Sequence, residues 1–215
     1  MTCARILSEE FGKKIIYLSL APFDGSREYI EISNKGGLLP LIYSVSHGGC
    51  MDLAGMLENY NGVTFFRGPV RNQALSTLGR EDAEKLITKI AEEADHDILF
   101  IDSGGHVTPA TECVLDMADV TIHVEDAGRV VPDIERESGN TVFVINKAQE
   151  DQVRSAGTWG NSARGARAIR GNALMVSYDP ASFRRVDGRF WIDMRGKYAA
   201  DAKDVAVKIL EKLNG

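Results

Sequence analysis

The sequence predicts an α/β protein: a mostly parallel sheet with helices on both faces, in three layers. Three observations carry the prediction. The runs "KKIIYLSL", "DILFID", "TVFVIN" and "ALMVSY" are apolar without polar alternation, as strands buried on both faces must be. Stretches with apolar residues at helical spacing lie between them. Strands and helices then alternate along 215 residues, enough chain for one sizeable domain with a real core.

The elements follow in order. Ala4, Ile6, Leu7 and Phe11 share one face of a first helix, which Gly12 ends. "KKIIYLSL" is a buried strand stopped by Pro22 and Gly25. "LLPLIYSV" stays open between helix and strand, because Pro40 disfavours the interior of either. "MDLAGMLENY" reads as a short helix and "GVTFF" as a strand. The clearest helix is "GREDAEKLITKIAEEADHD", with Ala83, Leu86, Ile87, Ile90 and Ala94 on one face and charges on the other. "DILFID" is a strand ending in Asp102. A helix at 109–117, the strand "VTIHV", a helix near 127–138 interrupted by Pro132, and the strands "TVFVIN" and "ALMVSY" follow, and "AADAKDVAVKILEKL" closes the chain as a helix.

Composition excludes several classes. Hydrophobic content of 44% and charged content of 26% are those of an ordinary globular protein. A net charge of −6 argues against a globally basic nucleic-acid surface. No apolar run reaches the length of a membrane span, and the first residues lack the pattern of a signal peptide. Cys3, Cys50 and Cys113 are too few and too scattered for a disulfide framework, which fits a reducing, cytoplasmic setting.

Ligands of such sheets bind beyond the C-terminal ends of the strands. The positions to inspect are Ser19–Asp24, Asp102–His106, Glu125–Ala127, Asn146–Lys147 and Ser177–Pro180. His47 and Cys50 make an H-x-x-C pair, but two ligands are not a zinc site. Ser103 lacks the G-x-S-x-G context of a nucleophile. His106 reads as a loop residue and Cys113 as core. Trp159 sits in the glycine-rich "AGTWGNSARG" as an anchor for a loop or an interface. Arg164, Arg167 and Arg170, joined by Arg184 and Arg185, form either a solvated face or a patch for nucleic acid, anionic membrane or an acidic partner.

Taken in order, "ARILSEEFGKKIIYLSLAPFDG", "DILFIDSGG", "VTIHVEDAG", "VFVINK" and "VSYDPASF" resemble the segments that follow the phosphate loop in the ParA/MinD group of P-loop ATPases. "FFRGPVRN" is most similar to the subgroup related to CpaE and TadZ, pilus-localising proteins with a ParA-like domain. The resemblance spans residues 2–215 and implies a P-loop NTPase-like fold in a single domain, 1–215. It also implies that the first strand and the phosphate loop are lacking and that the domain is incomplete at its N-terminus. An interior strand removed from such a sheet leaves two rows of unpaired N–H and C=O groups, to be filled by another segment, a partner chain, upstream residues or a rearranged strand order.

The site residues implied by the resemblance are these. A Walker A loop aims backbone N–H groups and a Lys at phosphates, with a Ser/Thr hydroxyl on Mg²⁺. No G-x-x-x-x-G-K-[ST] occurs here; Thr2 falls at or just after its last hydroxyl position. Ser19 and Ala21 stand where family members carry acids, and Asp24 follows at a different spacing. Asp102 occupies the Walker B position, either as an outer-sphere Mg²⁺ partner and catalytic remnant or as a turn residue ahead of Gly104 and Gly105. Asn146 is either a base-binding amide or a strand-ending turn residue. Asp179 lies in the Asp-Pro loop. Thr2, Asp24, Asp102, Asn146 and Asp179 are thus the candidate nucleotide-site residues, and Asp102 the candidate metal residue.

Phosphoryl transfer is almost entirely positioning and charge neutralisation. The expectation is therefore a degenerate ParA/MinD-like domain without ATP hydrolysis and without a cofactor as given. It would act as a localisation or scaffolding module through a protein partner or a homodimer. Two alternatives stand beside it: a fragment of an active ATPase, using ATP and Mg²⁺, whose N-terminal segment is missing, and a non-hydrolysing nucleotide or anion binder.

Overall fold

The computed structural model describes residues 1–21, 38–49, 52–66, 78–105, 107–127, 139–148, 173–187 and 189–215. The chain divides into two compact units. One is built mainly from residues 3–118 and the other mainly from 119–185 and 191–215.

The first unit opens on α1 (Thr2–Glu9), whose Ala4, Ile6 and Leu7 are buried as the periodicity requires. Gly12, at φ +66°, turns the chain into β1 (Ile15–Ser19). All five residues of β1 are buried, which explains the uninterrupted apolar run. The ambiguous "LLPLIYSV" is helix α2 (Leu38–Ser46). Pro40 is tolerated because it lies in the first turn, where N–H groups have no intrahelical acceptor.

The short helix expected over "MDLAGMLENY" is corrected. Ala54–Met56 is a single 3₁₀ turn, and Leu57–Tyr60 is strand β2, antiparallel to β3 (Val63–Phe66). Asn61 and Gly62, at φ +50° and +79°, form the two-residue turn between them. Pairing with β3 through this turn outweighs the helical pattern of Leu53, Met56 and Leu57.

Helix α3 (Arg80–Glu93) buries Ala83, Leu86, Ile87 and Ile90 and carries Lys85–Glu81 and Lys89–Glu93 pairs on its outer face. It is followed by β4 (Ile98–Asp102) and α4 (Pro109–Met117). The sheet order is β2-β3-β1-β4, with β3 and β4 both parallel to β1. One core joins Ile16, Leu18 and Leu20 of the β1 strand and its end, Leu41 of α2, Leu86 and Ile90 of α3, and Cys113 of α4.

The second unit holds a parallel three-stranded sheet, β5 (Thr121–Asp126), β6 (Thr141–Ala148) and β7 (Leu174–Ser177), in the order β5-β6-β7. Helix α5 (Lys197–Asn214) packs on β6 and β7 and buries Ala199, Ala202, Val205, Ala206 and Ile209, one apolar face. A two-stranded sheet of β8 (Phe183–Val186) and β9 (Arg189–Ile192) was not anticipated. Apart from Ala127, the helix expected near 127–138 lies outside the described residues.

The predicted class therefore holds, as mostly parallel but small sheets with helices. Among the described residues β4 pairs with β1 alone and β5 with β6 alone. Ile98–Ile101 of β4 are only half-buried, and Val124 of β5 is 55% exposed.

Candidate functional site

In the first unit the strand ends of β1 and β4 lie side by side, with Ser19 in register with Asp102 and the Leu20 N–H donating to the Asp102 carbonyl at 2.8 Å. The β1 end carries no acid. Ser19 and Ala21 are both buried, and the Ser19 hydroxyl has no hydrogen-bond partner among the described residues.

Asp102 is exposed at the tip of β4, yet both carboxylate oxygens are engaged. Oδ2 accepts from the Tyr17 hydroxyl at 2.9 Å, and Oδ1 accepts from the Gly104 N–H at 2.9 Å. The second contact is an Asx turn, and Gly104 and Gly105 follow it at φ +66° and +69°. The turn delivers the chain to α4, where Thr108 and Thr111 form a reciprocal capping box around Pro109 at the first helical position. Asp102 thus organises the turn that the sequence suggested as its alternative role. Asp102→Ala, which removes both hydrogen bonds, is expected to cost about 1 to 2 kcal/mol. Urea unfolding checks this, and a loss below about 0.5 kcal/mol would contradict it.

Thr2 is buried in the first turn of α1. The amino group of Met1, just before it, is drawn below its ordinary pKa by burial, while the Asp102 carboxylate acts in the opposite sense. Burial also pushes the Cys3 and Cys113 thiols up, so both stay protonated at neutral pH. Cys113 is core, as expected, at 1% exposure.

The second unit presents the ends of β5, β6 and β7. Asp126 stands in register with Asn146, and the Lys147 ammonium bonds Asp126 Oδ2 at 2.9 Å. Asn146 Oδ1 accepts from the N–H of Lys147 at 3.0 Å, and its carbonyl accepts from Ala127 at 2.9 Å. Lys147 adopts φ +58°, a left-handed conformation uncommon for a lysine, where the β6–β7 register shifts. Sequence reasoning placed Lys147 among the strand-end positions but not its conformation, which follows from that irregularity and not from its residue type.

Asp179 caps the 3₁₀ turn Pro180–Ser182. Its oxygens accept from the Ser182 hydroxyl at 2.6 Å and the Ala181 N–H at 3.2 Å. The Ser182 bond, chiefly, holds its carboxyl below the ordinary range.

Asp102 therefore belongs to the first unit, and Asn146 and Asp179 to the second. Asp24, Cys50, His106, Trp159, Arg164, Arg167 and Arg170, with part of "FFRGPVRN", lie outside the described residues. Arg184 and Arg185 are exposed on β8. His47 stacks on Tyr43 and bonds its carbonyl through Nδ1 at 2.8 Å. No cluster of three or more metal-ligating side chains occurs among the described residues. No described helix is long and apolar enough to cross a membrane.

This arrangement has the ParA/MinD-like P-loop ATPase fold. The chain is similar to a ParA family ATPase from Chlorobium tepidum TLS, at 14% identity and a TM-score of 0.68, over 96% of this chain and 89% of that one. It is similar to MinD in a MinC:MinD cell division complex from Aquifex aeolicus, at 14% identity and a TM-score of 0.66, over 98% and 89%. It is also similar to cobyrinic acid a,c-diamide synthase from Mycobacterium smegmatis, solved with a bound ATP analogue and magnesium, at 13% identity and a TM-score of 0.64, over 100% and 88%. No protein-family model and no curated protein sequence matches the chain.

ATP and Mg²⁺ are the groups such a fold implies, and the described residues fit them poorly. β1 ends without a carboxylate, and the one carboxylate at β4 already serves Tyr17 and Gly104.

Proposed function

We propose that this chain is a localisation or scaffolding module that uses a ParA/MinD-like fold for protein contacts and does not hydrolyse ATP. The observation that carries this reading is the end of β1. Where hydrolysis needs groups that hold Mg²⁺ and orient water, Ser19 and Ala21 offer one buried hydroxyl and a methyl. The engagement of Asp102 within its own turn supports it. The MinD structure with MinC is a neighbour whose own fold serves a protein complex.

The expected result is phosphate release from Mg²⁺-ATP at the rate of a protein-free control. Turnover that depends on Mg²⁺ would overturn the reading. Calorimetric titration with ATP separates the related possibility of a nucleotide binder without hydrolysis. Saturable heat that Asn146→Ala removes would assign that role, and Asn146 and Asp179 are then the residues to carry it.

A further inference from the structure

We infer that Asn61 is a site of spontaneous covalent modification: the Gly62 nitrogen displaces ammonia from its side chain, and the isoaspartyl residue that results opens the β2–β3 turn and frees it from α1. The inference is independent of the reading of the chain as a protein-contact module.

The chemistry starts from residue type. The carboxamide carbon of an asparagine can close a five-membered ring with the backbone nitrogen of the next residue. A glycine there lets the nitrogen approach, since no Cβ crowds it. The sequence holds two Asn-Gly pairs, at 61 and 214. Asn214 is the last residue of helix α5, whereas Asn61 stands in the tight turn between paired Tyr60 and Val63.

The structure leaves the reacting groups free. Asn61 and Gly62 are both exposed, so ammonia can leave and water can enter. Among the described residues no hydrogen bond holds the Asn61 side chain or the Gly62 N–H. The contact with Ser8 of α1 is made by the Gly62 carbonyl and not by its nitrogen. Two other asparagines near strand ends are engaged and precede larger residues. Asn59 Nδ2 donates to the Thr64 hydroxyl at 3.1 Å and precedes Tyr60, while Asn146 Oδ1 accepts from the Lys147 N–H.

In the reaction the deprotonated Gly62 nitrogen adds to Asn61 Cγ. The Cγ–Nδ2 bond breaks, and ammonia leaves with a proton from water. A second water opens the cyclic imide at either carbonyl. Opening at the backbone carbonyl routes the main chain through the former side chain, with one extra backbone carbon and a new carboxylate. Only water is consumed.

The turn cannot absorb that atom. It spans two residues, at φ +50° and +79°, and two-residue hairpins accept few geometries. The closing pair Tyr60–Val63 and the 2.7 Å bond from Ser8 to Gly62 are therefore lost.

The test holds the chain at mildly alkaline pH, folded in buffer and unfolded in urea, and follows each asparagine by peptide mapping with mass spectrometry. Fragmentation that cleaves isoaspartyl and aspartyl residues differently tells the two products apart. Conversion at residue 61 of the folded chain should run within about tenfold of that in the unfolded chain, because an exposed turn opens locally at little cost. It should quicken as pH rises, since the attacking nitrogen is deprotonated. The isoaspartyl fraction should lose amide-exchange protection at Val63, while Asn61→Asp, which adds the charge on an unaltered backbone, keeps it. Slower conversion than that in the folded chain overturns the proposal, because the fold then shields the site. Isoaspartyl chains that retain protection at Val63 also overturn it, because the turn then tolerates the extra atom.

Discussion

Leu86→Ala is expected to lower stability by about 3 kcal/mol. Leu86 is fully buried at 0% exposure, in the middle of α3. It belongs to the cluster that joins Ile16 and Leu18 of β1 to Leu41 of α2 and Cys113 of α4. Truncation removes apolar surface from this cluster, and the close-packed surroundings can collapse only in part. The helix itself does not suffer, since alanine is the better helix former. Urea unfolding should show a lower midpoint with an unchanged slope. Leu115→Ala on α4, at a site 53% exposed, should change stability by less than about 0.5 kcal/mol. A Leu86→Ala effect as small as that of Leu115→Ala would mean that α3 does not pack on the sheet as described.

Gly62→Ala is expected to cost about 2 to 3 kcal/mol, from two separable causes. The first is backbone conformation: at φ +79° any side chain is strained. The second is contact. A methyl group on Gly62 would press on the Ser8 hydroxyl of α1, which donates to the Gly62 carbonyl at 2.7 Å. The hydroxyl must move and the hydrogen bond between α1 and the β2–β3 turn is lost. Ser8→Ala in the Gly62→Ala background should therefore cost less than Ser8→Ala in the parent chain. Equal costs in both backgrounds would locate the whole penalty in the backbone and refute the contact.

These two positions also mark how far the sequence can be read. Leu86 was legible: Ala83, Leu86, Ile87 and Ile90 repeat at helical spacing, and that periodicity is a local property which burial simply completes. The Asn61-Gly62 turn was passed over although it carried a signal. Asn-Gly between two apolar runs marks a hairpin, and it outranks the helical spacing that suggested a helix over "MDLAGMLENY". The same omission hid β8 and β9, where Asp187 at φ +50° precedes a glycine in the sequence. In both places a period read over a few residues was weaker information than two residues suited to positive φ.

The candidate site divides in the same way. That β1 ends in Ser19, Leu20 and Ala21 without an acid is a fact of residue type, available without coordinates. The role of Asp102 was not, because an aspartate ending a strand before two glycines suits a metal site and a turn equally well. The Tyr17 hydroxyl, 85 positions away in the chain, reaches it only because β1 and β4 are neighbours in register. The left-handed Lys147 likewise arises from how β6 meets β7.

By itself the sequence determined the class of fold and the order of most of its main elements, because these depend on local periodicity. Only the tertiary structure decided which strands are neighbours, and so that apolar β4, among the described residues, pairs with β1 alone. The physical reason is that an apolar strand reads the same whether one or both of its edges are paired. Its side chains record which faces are buried, while its edges carry backbone groups common to every residue type.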